Sequence, residues 1–180
     1  MNVTTKNRIA TLYPGVRPLV EAMIADMQRL TGKELIVTEA MRSHSVQRVK
    51  YLIGRKYENG KWFVENAGRI VTHAMPGMSY HQYGLAVDFA FRGEDPYLNG
   101  LPPLGRNILW NTVGQVAKEN GLAWGGEFKK ITDKPHCEKT YGLKVSALME
   151  LHEHGGLKAV WTYLDKICGV IPGTGWGLEL

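Results

Sequence analysis

Cysteine is scarce in this sequence, and long apolar runs are missing from it. The 180 residues contain two cysteines, Cys137 and Cys168, which are too few for a disulfide framework and too far apart for a Cys-x-x-Cys site. No stretch approaches the ~20 apolar residues that a membrane-spanning helix needs. Residues 1–8 lack the apolar segment of a signal peptide. We therefore expect a soluble protein, made in the cytoplasm and without stable membrane insertion.

Runs of a single charge sign are missing as well. The chain has 22 basic and 17 acidic residues, a formal net charge of +5, yet no run of Lys and Arg exceeds two. Basic arms and patches that bind DNA normally show such clusters, so nucleic acid is not a predicted partner. The positive excess favours attraction to an anionic partner, and the acidic bacterial envelope is one that fits.

Helical and strand patterns alternate along the chain without a βαβ rhythm, which favours the α+β class. Helices are predicted near 4–13, 16–30, 45–53, 107–120, 145–152 and 157–168. Strands are predicted near 34–38 and 84–91, and Asn59-Gly60 marks a hairpin. We expect one domain over residues 1–143, with a small antiparallel sheet flanked by helices. Residues 144–180 should form a helical extension packed on the same domain, irregular from Gly169 onwards.

His81 and Asp88 form the first candidate metal-binding pair. Seven positions apart, they would lie ~23 Å from each other on one strand and ~10 Å on one helix. The chain must therefore turn between them if both bind one ion, and Gly84 is the residue that best allows it. Asp88 also stands within an apolar strand, where an acid is costly to bury unless it is paired or bound to metal.

A second polar segment surrounds His136. Pro135 restricts Lys134 to extended conformations, which gives a stiff approach to the histidine. Asp133 is the leading candidate for a general base, and Glu138 is either an alternative base or a supporting partner of the metal site. A catalytic zinc takes three protein ligands drawn from His, Asp, Glu or Cys and leaves a fourth position open for water.

These motifs together resemble a known family. Ser79-x-His81-x-x-Gly84-x-Ala86-x-Asp88, then Trp-Gly-Gly at 124–126, then Asp-x-x-His-x-Glu at 133–138 are similar to zinc peptidases of the D-alanyl-D-alanine carboxypeptidase and L-alanyl-D-glutamate endopeptidase group. The likeness includes Arg42-Ser43 and Gln47 upstream and covers about residues 7–142. The segment 56–66 looks longer than usual in the family, and Cys137 replaces a common aromatic residue.

The resemblance implies one zinc per chain, an α+β fold similar to hedgehog and D-Ala-D-Ala peptidases, and hydrolysis of peptidoglycan stem peptides. It assigns the zinc to His81, Asp88 and His136, and catalysis to Asp133 and Arg42. The supporting or substrate-contacting residues are Ser79, Gln47, Glu138 and Trp124. The Asp-x-x-His form is typical of phage endolysins that cut the L-Ala–D-Glu bond. We therefore expect an endolysin for host-cell lysis, monomeric, that acts on the cell wall after release.

Three alternatives stay open from sequence alone. A D-Ala-D-Ala carboxypeptidase would use the same zinc chemistry on another bond. A non-catalytic zinc-binding, cell-wall-binding module would keep the ligands without the reaction. A serine hydrolase built on Ser79, His81 and Asp88 is disfavoured, because Ser79 lacks the Gly-x-Ser-x-Gly context of a nucleophile elbow. His152 and His154 are two residues apart and do not share a helix face, so they do not predict a second metal site.

Overall fold

The fold contains a four-stranded antiparallel sheet with helices packed against it, and a separate two-stranded hairpin follows the third helix. The computed structural model describes residues 1–95, 97–129 and 131–169. The helices are α1 (Val3–Ala10), α2 (Arg17–Thr31), α3 (His44–Leu52), α4 (Pro103–Glu119) and α5 (Val145–Ile167). The strands are β1 (Leu35–Glu39), β2 (Arg55–Glu58), β3 (Lys61–Val64), β4 (Ala86–Phe91), β5 (Ala123–Trp124) and β6 (His136–Glu138). The predicted α+β class is confirmed. None of the helices in the described ranges is long and apolar enough to cross a membrane.

Strand β4 runs through the interior of the larger sheet, whose order is β1-β4-β6-β5. Its side chains are buried apart from that of Asp88, which is half-buried. The register with β6 places Asp88 directly opposite His136. The register with β1 shifts between Val37 and Glu39, and such an irregularity re-aims side chains next to it.

Helix α2 presents an apolar face to the core, as its periodicity predicts. Its buried residues are Val20, Met23, Ile24 and Met27. The helix ends at Gly32, which has the left-handed φ of 69° that glycine tolerates without steric cost. The predicted C-terminal stop at this residue is confirmed.

Helix α4 begins earlier than the sequence analysis predicts, at Pro103 rather than near residue 107. Pro103 occupies the first turn, where a missing N–H costs nothing and a fixed φ suits a helix. The Pro102-Pro103 pair therefore starts this helix instead of preceding it. Helix α1 ends at Ala10, short of the predicted residue 13.

The C-terminal helix α5 is bent at Gly155 and Gly156, whose backbone angles are not helical. Its two halves correspond to the two helices predicted at 145–152 and 157–168. Leu148, Val160 and Leu164 are fully buried in the core. The Trp161 indole N–H donates to the Tyr83 carbonyl at 2.9 Å, so α5 contacts the turn that carries His81. We propose on these contacts that residues 144–169 belong to the same folding unit. The irregular end predicted beyond Gly169 lies outside the described residues.

The hairpin predicted at Asn59-Gly60 is confirmed in strands β2 and β3. Asn59 and Gly60 have positive φ of 48° and 78°, as a two-residue type I′ turn requires. Every β3 side chain is exposed, including Trp62 and Phe63. The hairpin therefore contributes little to the core.

Candidate metal centre

Three elements bring His81, Asp88 and His136 together. His81 lies in a short 3-10 helix, Tyr80–Tyr83, that ends at Gly84 with φ 70°. Gly84 turns the chain into β4, as the spacing argument requires. Its backbone N–H and carbonyl bond to His81 and Tyr13, and an added Cβ would lie 2.8 Å from the Tyr13 nitrogen. Asp88 then faces His136 across β4 and β6.

The donor atoms form a nearly equilateral triangle. The distance is 3.3 Å from His81 Nε2 to His136 Nδ1, 3.1 Å from His136 Nδ1 to Asp88 Oδ1, and 3.3 Å from His81 Nε2 to Asp88 Oδ1. Ligands bound to zinc at ~2.0–2.1 Å in tetrahedral geometry stand about 3.3–3.4 Å apart. The three atoms therefore fit one face of a zinc tetrahedron, with the fourth corner directed away from them.

The remaining ring nitrogens are held by protein groups. His81 Nδ1 lies 2.7 Å from the Ala40 carbonyl oxygen, and His136 Nε2 lies 3.0 Å from Glu138 Oε2. Such partners fix the tautomer and the orientation of a metal-binding imidazole. Of the two roles that the sequence left open for Glu138, this contact favours the supporting one.

The local charges favour ionised carboxylate and basic imidazole. Burial raises the pKa of Asp88, but hydrogen bonds from His136 and His81 outweigh it and hold that pKa far below its usual range. Burial lowers the pKa of His136, but Asp88 and Glu138 outweigh it and raise the pKa to about 9. Asp88 and Glu138 thus make the His136 imidazole more basic.

Asp133 lines the same cavity as the three candidate ligands, a space of about 610 Å³. Its backbone N–H donates to the Gly125 carbonyl at 2.9 Å, and its carbonyl accepts from the His136 N–H at 3.1 Å. The side chain keeps an exposed surface. Partial removal of its carboxyl from water and the nearby Asp88 charge nevertheless raise the pKa of that carboxyl. A raised carboxyl pKa suits a group that accepts a proton near neutral pH.

Arg42 is buried rather than displayed on the surface, with 8% of its area exposed. Its Nε and Nη2 donate to the two Glu39 carboxylate oxygens, and its Nη1 donates to Gln47 Oε1 at 2.7 Å. A guanidinium has five N–H groups, so two remain, and Nη2 lies 3.8 Å from Asp88 Oδ2. Arg42 lines the cavity, but most of its hydrogen-bonding capacity is already used by the protein.

The other predicted supporting residues lie at different depths. Ser79 lines the cavity. Gln47 is fully buried and donates to the Ala74 carbonyl at 2.7 Å. It therefore connects Arg42 to the segment that contains Ala74. Trp124 is buried under the 133–136 segment, where its indole N–H donates to the Lys134 carbonyl at 2.7 Å. Trp124 therefore stabilises the backbone of the 133–136 segment.

Two residues of the site, Glu39 and Tyr97, were not predicted from the sequence. Glu39 accepts hydrogen bonds from Arg42 and from Lys50, and the Lys50 ammonium lies 2.7 Å from it. In the sequence, only its position three residues before Arg42 indicates this pairing. Tyr97 reaches the cavity from the loop before α4, and nothing in the linear pattern indicates this. The rings of His44 and His152 stack with 4.6 Å between their centroids. Neither belongs to the His81–Asp88–His136 cluster that could hold a metal ion in the described residues.

The segment that contains this site is similar in sequence to known peptidases. Residues 72–139, which include all three candidate ligands and Asp133, match the model of a family described as D-alanyl-D-alanine carboxypeptidase. The chain is 34% identical over 131 residues to the peptidoglycan L-alanyl-D-glutamate endopeptidase CwlK of Bacillus subtilis. That similarity covers 71% of this chain and 72% of CwlK.

Two solved structures are similar to the chain at low identity. The L-Ala D-Glu endopeptidase ChiX of Serratia marcescens has 21% identity and a TM-score of 0.48, covering 78% of this chain and 90% of ChiX. A mutant of the vancomycin resistance D,D-pentapeptidase VanY, in complex with Zn(II), has 19% identity and a TM-score of 0.49, covering 83% of each chain.

Proposed function

The chain belongs to the peptidase family of the D-alanyl-D-alanine carboxypeptidases and L-alanyl-D-glutamate endopeptidases, and from this premise we propose that it is a zinc-dependent endopeptidase that cuts the L-Ala–D-Glu bond of peptidoglycan stem peptides. One observation carries the proposal: the triangle of His81, Asp88 and His136 opens into a cavity that Asp133 also lines. The similarity to CwlK, which carries that activity in its name, supports the choice of bond.

Zinc is the metal that this donor set fits best. Two imidazole nitrogens and one carboxylate oxygen, with a fourth position free, are a common catalytic zinc arrangement. Zinc held there would polarise the scissile carbonyl and lower the pKa of the attacking water. Glu138 and the Ala40 carbonyl keep the two imidazoles turned towards the ion.

Asp133 accepts the proton of the attacking water and returns it to the leaving amine. The water oxygen bonds to the L-Ala carbonyl carbon, the C–N bond breaks, and the products are an L-Ala carboxylate and a D-Glu amine. Arg42 acts mainly by holding Asp88 and Glu39 in place, and its two remaining N–H groups are left to stabilise a developing oxyanion or a carboxylate.

We further propose that this activity serves host-cell lysis, as in the phage endolysins that the Asp133-x-x-His136 form resembles. Cutting the L-Ala–D-Glu bond frees stem peptides from the glycan and weakens the whole mesh. A D-Ala-D-Ala carboxypeptidase is the second candidate, because the matching family model carries that description. Removal of a terminal D-Ala would leave the sacculus intact.

Digestion of purified Gram-negative peptidoglycan separates these functions. Fragments are analysed by mass spectrometry with labelling of new amino termini, and turbidity is followed in parallel. New D-Glu amino termini with loss of turbidity, abolished by a strong chelator, are expected. His136→Ala is the matched variant and should lose both zinc and activity. Release of free D-Ala alone would establish the carboxypeptidase, and no product from zinc-loaded protein would establish a binding module.

A further inference from the structure

A second cavity adjoins the metal centre on the side of Asp133. Its volume is about 440 Å³, and it shares Val71, Tyr97 and Asp133 with the first cavity. The buried ring of Trp110 forms part of its wall. Because three residues line both spaces, a peptide bound at the metal centre can continue into the second cavity without leaving the protein surface.

Arg106 on α4 and Lys134 beside Asp133 both line this second cavity. Both side chains are half-buried. Arg106 donates to the neutral Asn99 amide oxygen at 3.1 Å. Among the residues that the structure describes, neither cation forms an ion pair with a carboxylate. The Arg106 charge helps to lower the pKa of the nearby Asp95 carboxyl, but the two side chains form no direct ion pair. The charges of Arg106 and Lys134 therefore remain available to an anionic ligand.

Two cations that line the first cavity, Arg42 and Lys50, are already neutralised. Arg42 and Lys50 both pair with Glu39, and Gln47 occupies a further N–H of Arg42. A substrate carboxylate placed there would have to compete with Glu39. The charge distribution thus favours the second cavity as the place where a substrate carboxylate binds.

The direction of proton transfer decides which half of the substrate enters it. Asp133 must protonate the leaving nitrogen, so the amine product leaves along the Asp133 side. When an L-Ala–D-Glu bond is cut, that nitrogen belongs to D-Glu, and the α-carboxylate stands on the adjacent carbon. We propose that Arg106 and Lys134 form a specificity subsite that binds the α-carboxylate of D-Glu. This inference rests on the proposed endopeptidase function.

Two synthetic stem peptides test the subsite, one with the D-Glu α-carboxylate free and one with it converted to the carboxamide. The ratio of kcat/KM for the acid over the amide is measured for the wild type, Lys134→Gln, Arg106→Gln and the double variant. A charge-assisted contact is worth ~1.5–3 kcal/mol, about tenfold or more in KM. The wild type should prefer the acid about tenfold, and the double variant should lose that preference through KM on the acid alone.

Lys118→Gln is the matched control, because Lys118 lies on the same helix as Arg106 but pairs with Glu127 on the surface. It should keep the full preference, and Lys134→Arg should keep most of it. Melting temperatures establish that every variant is folded. A double variant with the wild-type ratio would overturn the subsite while leaving the endopeptidase function standing. A wild type that cuts neither peptide at L-Ala–D-Glu would remove the proposed function, and the subsite with it.

Discussion

At the scale of single residues, Asp133 and Glu138 are two carboxylates with different neighbours. Glu138 bonds to His136 Nε2, whereas Asp133 lines the cavity with a raised pKa. We expect Asp133→Asn to keep zinc and lose ~10²–10⁴-fold in kcat. Glu138→Gln should instead weaken zinc affinity ~10–100-fold and recover activity at high zinc. Zinc titration and kcat on the same preparations measure both; a dead, zinc-loaded Glu138→Gln with an active Asp133→Asn would exchange the roles.

Glu39 links the site to acid stability. Burial raises its pKa, but hydrogen bonds from Arg42 and Lys50 outweigh this and lower the pKa below the usual 4.5. A depressed carboxyl pKa stabilises the fold above the unfolded value, and that contribution is lost as the pH falls below about 4.5 through the folded pKa. Glu39→Gln should therefore lower the free energy of unfolding at pH 7 more than at low pH. Urea unfolding at both pH values checks this, and equal losses would contradict it.

At the scale of elements, the turn between His81 and β4 depends on one glycine. Gly84→Ala places a Cβ 2.8 Å from the Tyr13 nitrogen at φ 70°, so the backbone must move and His81 with it. Gly60→Ala is the matched control: its φ is 78°, but nothing lies within 4 Å. Both carry left-handed strain of ~1–2 kcal/mol. Gly84→Ala should lower the melting temperature and the zinc affinity, whereas Gly60→Ala should leave zinc affinity unchanged. Equal zinc affinities would show that the turn tolerates a side chain.

At the scale of the whole molecule, α5 decides whether the chain is one cooperative unit. Leu164 is fully buried in the same core as α1 and β4. We expect Leu164→Ala to cost ~2–5 kcal/mol and to lower a single unfolding transition. Leu104→Ala is the control, since Leu104 is 74% exposed. Calorimetry provides the measurement. An unchanged main transition with a separate, weaker one would mean that residues 144–169 fold apart from the catalytic domain.

Much of the metal centre was predictable because its signals are local. His81, Gly84 and Asp88 lie within eight positions, so extended and helical geometry alone required a turn between the two candidate ligands. The cap at Gly32 and the Asn59-Gly60 turn depend on backbone preferences of single residues, which sequence displays directly. The roles of the ligands and of Asp133 stay predictions.

Contacts between distant segments were decided by tertiary structure. The pairing of Asp88 with His136 depends on β4–β6 register, and a shift of one residue would reverse every side chain. The partners of Arg42 depend on an irregularity in β1 and on where α3 begins. The second cavity combines residues from 71 to 134 that share no periodicity. Sequence by itself determined which residues could carry the chemistry, because residue type sets what a side chain can do. Only the folded chain determined which groups meet, because packing of the whole core sets those distances.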